Sequence, residues 1–214
     1  MRAIFISVRT GSTRLPQKAL VEIRGKASIE YLIDRVKESS YAEEIVLCTT
    51  NLSEDDVLCE IATRNNIKFF RGSTQDKLKR WLGAATAHNV EFFVNADGDD
   101  IFFDAGLADI CFEQYLSQSK NVDFIDGRGL YNDVYGIRTK TLEKVCKIKK
   151  DEDTEFVRPY FVEAGVCNVQ KIHNIPTKYK KQNIRMTLDY EADLVFFKTV
   201  IEHFLENNIK MNFD

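Results

Sequence analysis

The chain has 214 residues, of which 44% are hydrophobic, so it carries enough apolar material for one substantial core. Its formal net charge of −3 is spread without a long basic or acidic block, which argues against nucleic acid as a main partner. The apolar start MRAIFISVR is too short for a secretory core or a membrane span, so a cytoplasmic protein is expected. Five cysteines, Cys48, Cys59, Cys111, Cys146 and Cys167, stand singly with no CxxC pair, which disfavours a zinc site or a disulfide framework.

Residues 2–8 form a β-branched apolar run and read as a strand, followed by a polar loop and an amphipathic helix over about 28–38. The unit repeats, with a strand at 44–49 and a helix from Ser53 to Arg64, where Ser53-Glu54-Asp55-Asp56 resembles a capping box. A short strand at 67–70, a helix from Thr74 to Ala87 and a strand at 90–96 follow. Strands alternating with helices predict a three-layer α/β/α, Rossmann-like fold with a mainly parallel mixed sheet, whose ligands bind at the carboxyl ends of the strands.

Past residue 121 the alternation loosens. Strands are expected at 122–125 and 134–138, helices at 139–148 and 153–163, and extended runs near Val166 and Ile172. A last strand and helix should run from Ile184 to Leu205. Residues 127–180 read as an elaboration of the same sheet, so that 1–214 form one domain.

The loop after the first strand, Val8-Arg9-Thr10-Gly11-Ser12-Thr13-Arg14-Leu15-Pro16-Gln17-Lys18, places three cations around a flexible backbone. Gly11 allows close approach, hydroxyl and main-chain N–H groups can donate to phosphate oxygens, and Arg9, Arg14 and Lys18 neutralise charge. By composition this is a polyphosphate site or a solvated charged loop. Walker A and dinucleotide glycine patterns are both absent.

The strand 91–96 runs into Asp97-Gly98-Asp99-Asp100. Three carboxylates in four residues repel one another unless a cation compensates, and hard oxygen ligands suit Mg²⁺. An ordinary acidic turn is the competing reading. Asp189 stands before the last helix, where by itself it could cap that helix, while Asp193 suits the helix's first turn electrostatically.

The segment R-x-x-S-x-R-L-P-x-K resembles the signature of cytidylyltransferases that make CMP-activated ulosonic acids, most closely the spore-coat-polysaccharide branch. Gly98-Asp99-Asp100-Ile101-Phe102-Phe103-Asp104 and the stretch around Asp189 are similar to further family segments. The resemblance implies that CTP phosphates lie against residues 9–14 and Lys18, with Arg9, Arg14 and Lys18 as the catalytic cations and Asp99 and Asp189 as Mg²⁺ ligands. In Phe70-Arg71-Gly72-Ser73-Thr74-Gln75-Asp76 it implies that Arg71, Ser73 and Asp76 lie near base and ribose. The acceptor, a sugar-like molecule, would meet Tyr135 and Arg185. Tyr135 and Phe156 depart from the family's usual residues in the region expected to shape acceptor pocket and dimer contact.

The implied activity is transfer of CMP from CTP with release of pyrophosphate by a homodimer. The rivals are another nucleotidyl transfer, with a different NTP or a phosphorylated polyol or phosphonate acceptor, and a non-catalytic nucleotide-binding protein. None of His88, His173 and His203 is placed for general-base work.

Overall fold

The computed structural model describes residues 1–118, 121–180 and 186–211. The main sheet has seven strands: β1 (Arg2–Ser7), β4 (Glu44–Thr50), β5 (Lys68–Gly72), β6 (Phe92–Asp97), β7 (Phe124–Gly127), β8 (Val134–Arg138) and β9 (Val169–Lys171), in the order β5-β4-β1-β6-β8-β7-β9. Strands β2 (Glu22–Ile23) and β3 (Lys26–Ala27) form a separate small ribbon. The pairs β4–β5, β1–β4, β1–β6 and β7–β9 are parallel, while β8 runs antiparallel to β6 and β7. The expected mixed, mainly parallel sheet is present, and residues 127–180 add β8 and β9 to it.

Alternation along the strands sends side chains into both layers, as a sheet covered on both faces requires. Ile4 and Ile6 of β1 pack with α1 (Ser28–Val36), α2 (Asp56–Arg64) and α4 (Ala105–Ser117). On the other face Ala3 and Phe5 meet α3 (Lys77–Ala87) and α5 (Thr139–Ile148). There Phe5 stacks on Phe93 at 4.2 Å and Trp81 meets Phe93 edge-on at 5.5 Å. A third cluster joins Leu194, Phe197 and Ile201 of α7 (Glu191–Glu206) to Leu15, Ile101 and Leu188. It ties the last helix to both the N-terminal loop and the loop after β6.

Chain order moves outward from β1 through β4 to β5, then returns to β1's other side with β6. The carboxyl ends of β1 and β6 therefore form a topological switch point, where such sheets open a ligand crevice.

Several expectations are corrected. No capping box forms at Ser53; residues 53–55 make a 3-10 turn without a side-chain cap, because buried Asp55 accepts instead from Thr10 and Thr50. The third helix starts at Lys77 and is capped by Asp76, whose carboxylate accepts from the Lys79 N–H at 3.0 Å. Of the helix expected over 153–163 only α6 (Arg158–Val162) forms, with Pro159 in its first turn. One strand, β9, replaces the two extended runs near 166 and 172. Residues 186–190 are not a strand, since Leu188 there packs with the third cluster and donates its N–H to the Asp99 carbonyl at 2.9 Å. Helix α4 was not foreseen.

Candidate active site

A cleft of about 330 Å³ opens at the switch point, lined on one side by Arg9, Gly11, Ser12, Thr13, Arg14 and Lys18 and on the other by Asp97, Gly98 and Asp99. The first loop leaves β1 and turns tightly, with Ser12 N–H donating to the Thr10 carbonyl at 2.8 Å. It ends on a 3-10 turn (Lys18–Leu20) whose preceding residue, Gln17, adopts a left-handed backbone at φ 53°. Ser28 at the start of α1 donates to the Lys18 carbonyl at 2.5 Å. Both ends of the loop are thereby held, and the exposed middle faces the cleft.

Gly98 brings the acidic loop close. Its N–H donates to the Ser7 carbonyl at 2.8 Å, and a Cβ there would stand 2.6 Å from Val8 Cβ and 3.0 Å from the Ser7 carbonyl oxygen. Only a residue without a side chain lets the loop after β6 cross the end of β1.

Lys18 is the hub. Its Nζ donates to Asp99 Oδ2 at 2.6 Å and Asp189 Oδ1 at 2.8 Å, and Arg14 reaches the same Asp189 oxygen at 2.8 Å. Arg14 also lies over the Tyr190 ring, 5.4 Å from its centroid. Two carboxylates 90 residues apart in the chain thus converge on one point, where the ammonium stands for the small cation that such a pair would hold. Burial alone would lower the Lys18 pKa, but Asp99 and Asp189 outweigh it and hold it above its ordinary value. Burial, with help from Asp97 and Asp189, pushes Asp99 above the usual carboxylate range against the pull of Lys18. Asp100 is pushed further up, by burial and then by Asp99 and Asp97, and Thr187 donates to it at 3.2 Å.

Asp189 is not the cap of α7. Asp193 accepts from the Asp189 and Tyr190 N–H groups at 2.9 and 2.8 Å, closing the helix's first turn and fixing the backbone that presents Asp189. The expected role of Asp193 at the helix start is thus seen, in hydrogen-bonded form.

The described residues contain no cluster of three or more His, Cys, Asp or Glu able to hold a metal. Two carboxylates fit Mg²⁺ nevertheless, which commonly takes one or two from the protein and the rest from phosphates and water.

Four residues expected at the nucleotide fall outside the cleft lining. Thr10 is buried, its N–H and hydroxyl both donating to Asp55, at 2.8 and 2.7 Å. Arg71 spans the Thr50 and Leu52 carbonyls and pairs with Asp56 at 2.5 Å. Ser73 accepts from the Asp76 N–H at 3.0 Å. Asp76 pairs with Lys149 at 2.5 Å, both side chains 3% exposed. Burial would raise the Asp76 pKa, but Lys149 and the Lys79 N–H outweigh it and hold it low. These residues brace the frame: a buried carboxylate is kept by a cation and hydrogen bonds.

Of the acceptor residues, Tyr135 lies on β8, 7% exposed, its hydroxyl donating to Asp133 at 3.1 Å. Arg185 lies outside the described residues. Arg158 grips Asp126 through two nitrogens at 2.7 and 3.0 Å near the same ring.

Sequence reasoning missed Lys77, Arg80 and Glu155, which also line the cleft. Lys77, 5% exposed, donates to Asp97 at 2.6 Å, and Arg9 pairs with Glu155 at 3.6 Å. The signal was present: positions 77, 80, 81, 84 and 85 make one helical face, with two cations on an otherwise apolar stripe.

A cytidylyltransferase family model matches residues 3–214. The chain is 30% identical over 206 residues to an uncharacterized protein of Methanocaldococcus jannaschii, covering 93% of this chain and 82% of that one. It is 24% identical to the spore coat polysaccharide biosynthesis protein SpsF of Bacillus subtilis, covering 92% and 85%. A solved cytidylyltransferase from Leptospira borgpetersenii superposes with a TM-score of 0.86 at 26% identity, over 98% of this chain and 90% of that one. The match over nearly the whole length, on a fold with these paired carboxylates at its switch point, means that the chain belongs to the cytidylyltransferase family, enzymes that transfer CMP from CTP.

Proposed function

We propose that this enzyme transfers CMP from CTP to a sugar-like acceptor, an ulosonic acid or related surface-polysaccharide precursor, with Mg²⁺ as cofactor. The observation that carries the reading is the convergence of Asp99 and Asp189 on one cation position, 2.6 and 2.8 Å from Lys18 Nζ, beside the loop of residues 9–14.

In the reaction an acceptor oxygen forms a bond to the α-phosphorus as the bond to the bridging oxygen breaks in line, and pyrophosphate leaves. Bound Mg²⁺ would be held by Asp99 and Asp189 and would supply charge neutralisation on the phosphates. Lys18 and Arg14, now spent on those carboxylates, would turn to the phosphate oxygens once the carboxylates have a metal partner. The main-chain N–H groups of the exposed Gly11 and Thr13 and the Ser12 hydroxyl would add donors that need little reorganisation. Arg9, held beside the cleft by the Thr74 carbonyl and Glu155, would add a further cation to the phosphates. Positioning and electrostatics thus supply the catalysis, and the three histidines stay outside the cleft lining.

The acceptor would lie towards β8, where Tyr135, Asp133, Asp126 and Arg158 gather polar groups suited to hydroxyl-rich molecules. We further propose one domain over 1–214, a homodimer and a cytoplasmic setting; no helix among the described residues is long and apolar enough to cross a membrane. Pyrophosphate release is the test, with each NTP in turn and then with ulosonic acids against phosphorylated polyols and phosphonates. Turnover confined to CTP and an ulosonic acid supports the reading, and turnover only with another NTP or acceptor class overturns that part of it.

A further inference from the structure

The cleft holds a carboxylate with no role so far. Asp97, the last residue of β6, lines it with 36% of its side chain exposed. Its Oδ1 accepts from Lys77 Nζ at 2.6 Å, and among the described residues its Oδ2 has no hydrogen-bond or ion-pair partner. Lys77 opens α3, is 5% exposed, and has its Nζ 5.2 Å from the centroid of the Trp81 ring. Trp81 in turn donates to the hydroxyl of Ser7, the residue of β1 in register with Asp97. Burial alone would lower the Lys77 pKa, but Asp97 outweighs it and holds it above its ordinary value. One oxygen of Asp97 is thus spent on a fixed, buried cation, and the other is left to the cleft.

An ionised carboxylate only accepts hydrogen bonds and repels phosphate, so a ligand group beside it must carry a hydrogen on oxygen or nitrogen. Asp99, which on the CTP reading holds the metal against the phosphates, stands two residues further along the chain. In a nucleotide the group bonded directly to the phosphates is the ribose, with two hydroxyls, and the base lies beyond it. Arg71, Ser73 and Asp76, which the family resemblance puts near base and ribose, do not line the cleft. The acceptor has its polar groups elsewhere: Tyr135, Asp126 and Arg158 do not line this cleft either, whereas Asp97 and Lys77 share it with the loop of residues 9–14. Acidic side chains bind ribose hydroxyls in other open α/β sheets, for the same reason of paired donor and acceptor.

We propose that Asp97 binds a hydroxyl of the nucleotide's ribose through Oδ2, with Lys77 holding its other oxygen, and so sets a preference for ribonucleotides over deoxyribonucleotides. The inference rests on the CTP reading above and adds recognition of the sugar to it. It also accounts for Lys77, a cation on an otherwise apolar face of α3: it compensates a carboxylate that would otherwise stand bare beside phosphates.

Calorimetric binding of CTP, 2′-deoxy-CTP and 3′-deoxy-CTP in the presence of Mg²⁺ tests it without acceptor or turnover. Wild-type enzyme should bind CTP roughly tenfold to a hundredfold more tightly than at least one of the deoxy analogues, the worth of one hydrogen bond to a charged group. The double variant Asp97→Ala/Lys77→Met removes both ends of the pair and leaves neither charge unpaired. In it the ratio should fall to within about twofold through loss of CTP affinity, with that analogue bound much as before. Asp97→Asn, which keeps an acceptor for Lys77 but loses the charge, should fall between. Equal wild-type affinity for CTP and both analogues overturns the proposal. So does a folded double variant that keeps the ratio, weakens all three nucleotides equally, or loses the effect of Mg²⁺ on CTP binding, which would make Asp97 a metal ligand. Should neither variant fold, the analogue comparison on the wild type decides. Failure of the wild type to bind any CTP sinks the parent reading instead, and is thus distinguishable.

Discussion

Among the described residues, replacing Lys149 with Met removes the one buried cation paired with the Asp76 carboxylate, 2.5 Å away with both side chains 3% exposed, and leaves the exposed Lys79 at 3.7 Å. Methionine matches the lysine stem, so the packing loss is small and the change is electrostatic. Breaking a buried pair by removing one partner costs about 3–5 kcal/mol. The Lys79 N–H at 3.0 Å and the Thr154 hydroxyl at 3.1 Å still donate to Asp76, which points to the lower end, about 3 kcal/mol. For a chain of this size that lowers Tm by roughly 6–12 °C. The sign with pH follows from the depressed Asp76 pKa. The wild-type pair contributes stability above the ordinary carboxylate pKa and loses it as pH falls through the lower folded value, so wild type and variant should converge in acid. Thermal melts at neutral and acid pH, with calorimetric CTP binding alongside, measure both. A variant that melts within about 1 °C of wild type at neutral pH refutes the bracing role. Unchanged Tm with tenfold weaker CTP binding would instead return Asp76 to the nucleotide, where the family resemblance had put it.

Gly98→Ala forces a Cβ to within 2.6 Å of Val8 and 3.0 Å of the Ser7 carbonyl, so it should cost about 1–3 kcal/mol in stability and lower kcat by at least tenfold through displacement of Asp99; melts and steady-state rates read both. Asp193→Ala removes acceptors from the Asp189 and Tyr190 N–H groups and should cost about 1 kcal/mol as a lost cap, while weakening Mg²⁺-dependent CTP binding in calorimetry more than Mg²⁺-free binding. Asp99→Asn should reduce pyrophosphate release by at least a hundredfold with Tm shifted by no more than a few degrees, and equal activity would remove the metal assignment.

Much of the fold was legible because it rests on periodicity: β8 and α5 stand where apolar spacing placed them, and β1, β4, β5 and β6 lie within two residues of their expected limits. The failures have local physical causes. The Asp55 carboxylate is taken by Thr10 and Thr50, which no capping pattern reveals. The 153–163 stretch held enough apolar residues for a helix but needed Thr154 to bond Asp76 and Leu78. Lys18 and Asp99 stand in motifs whose residue types carry chemistry, whereas Asp189 was singled out by the family resemblance; the structure brings the three together. Arg80 and Lys77 were missed because a lone cation in a helix reads as a surface residue, although their spacing with Trp81, Ala84 and Ala85 puts both on the buried face. Conversely, Thr10, Arg71 and Asp76 bear the right residue types for a nucleotide, and only the tertiary partners reveal that they brace the sheet edge.

On the proposed function, Asp99 and Asp189 form one metal-triphosphate site with the 9–18 loop. Calorimetric titration of CTP with and without Mg²⁺, into wild type and Asp189→Asn, tests it most directly. Mg²⁺ should tighten CTP binding to the wild type by at least tenfold and tighten it little in the variant. Mg²⁺-independent CTP binding in the wild type, or an undiminished Mg²⁺ effect in Asp189→Asn, would contradict it.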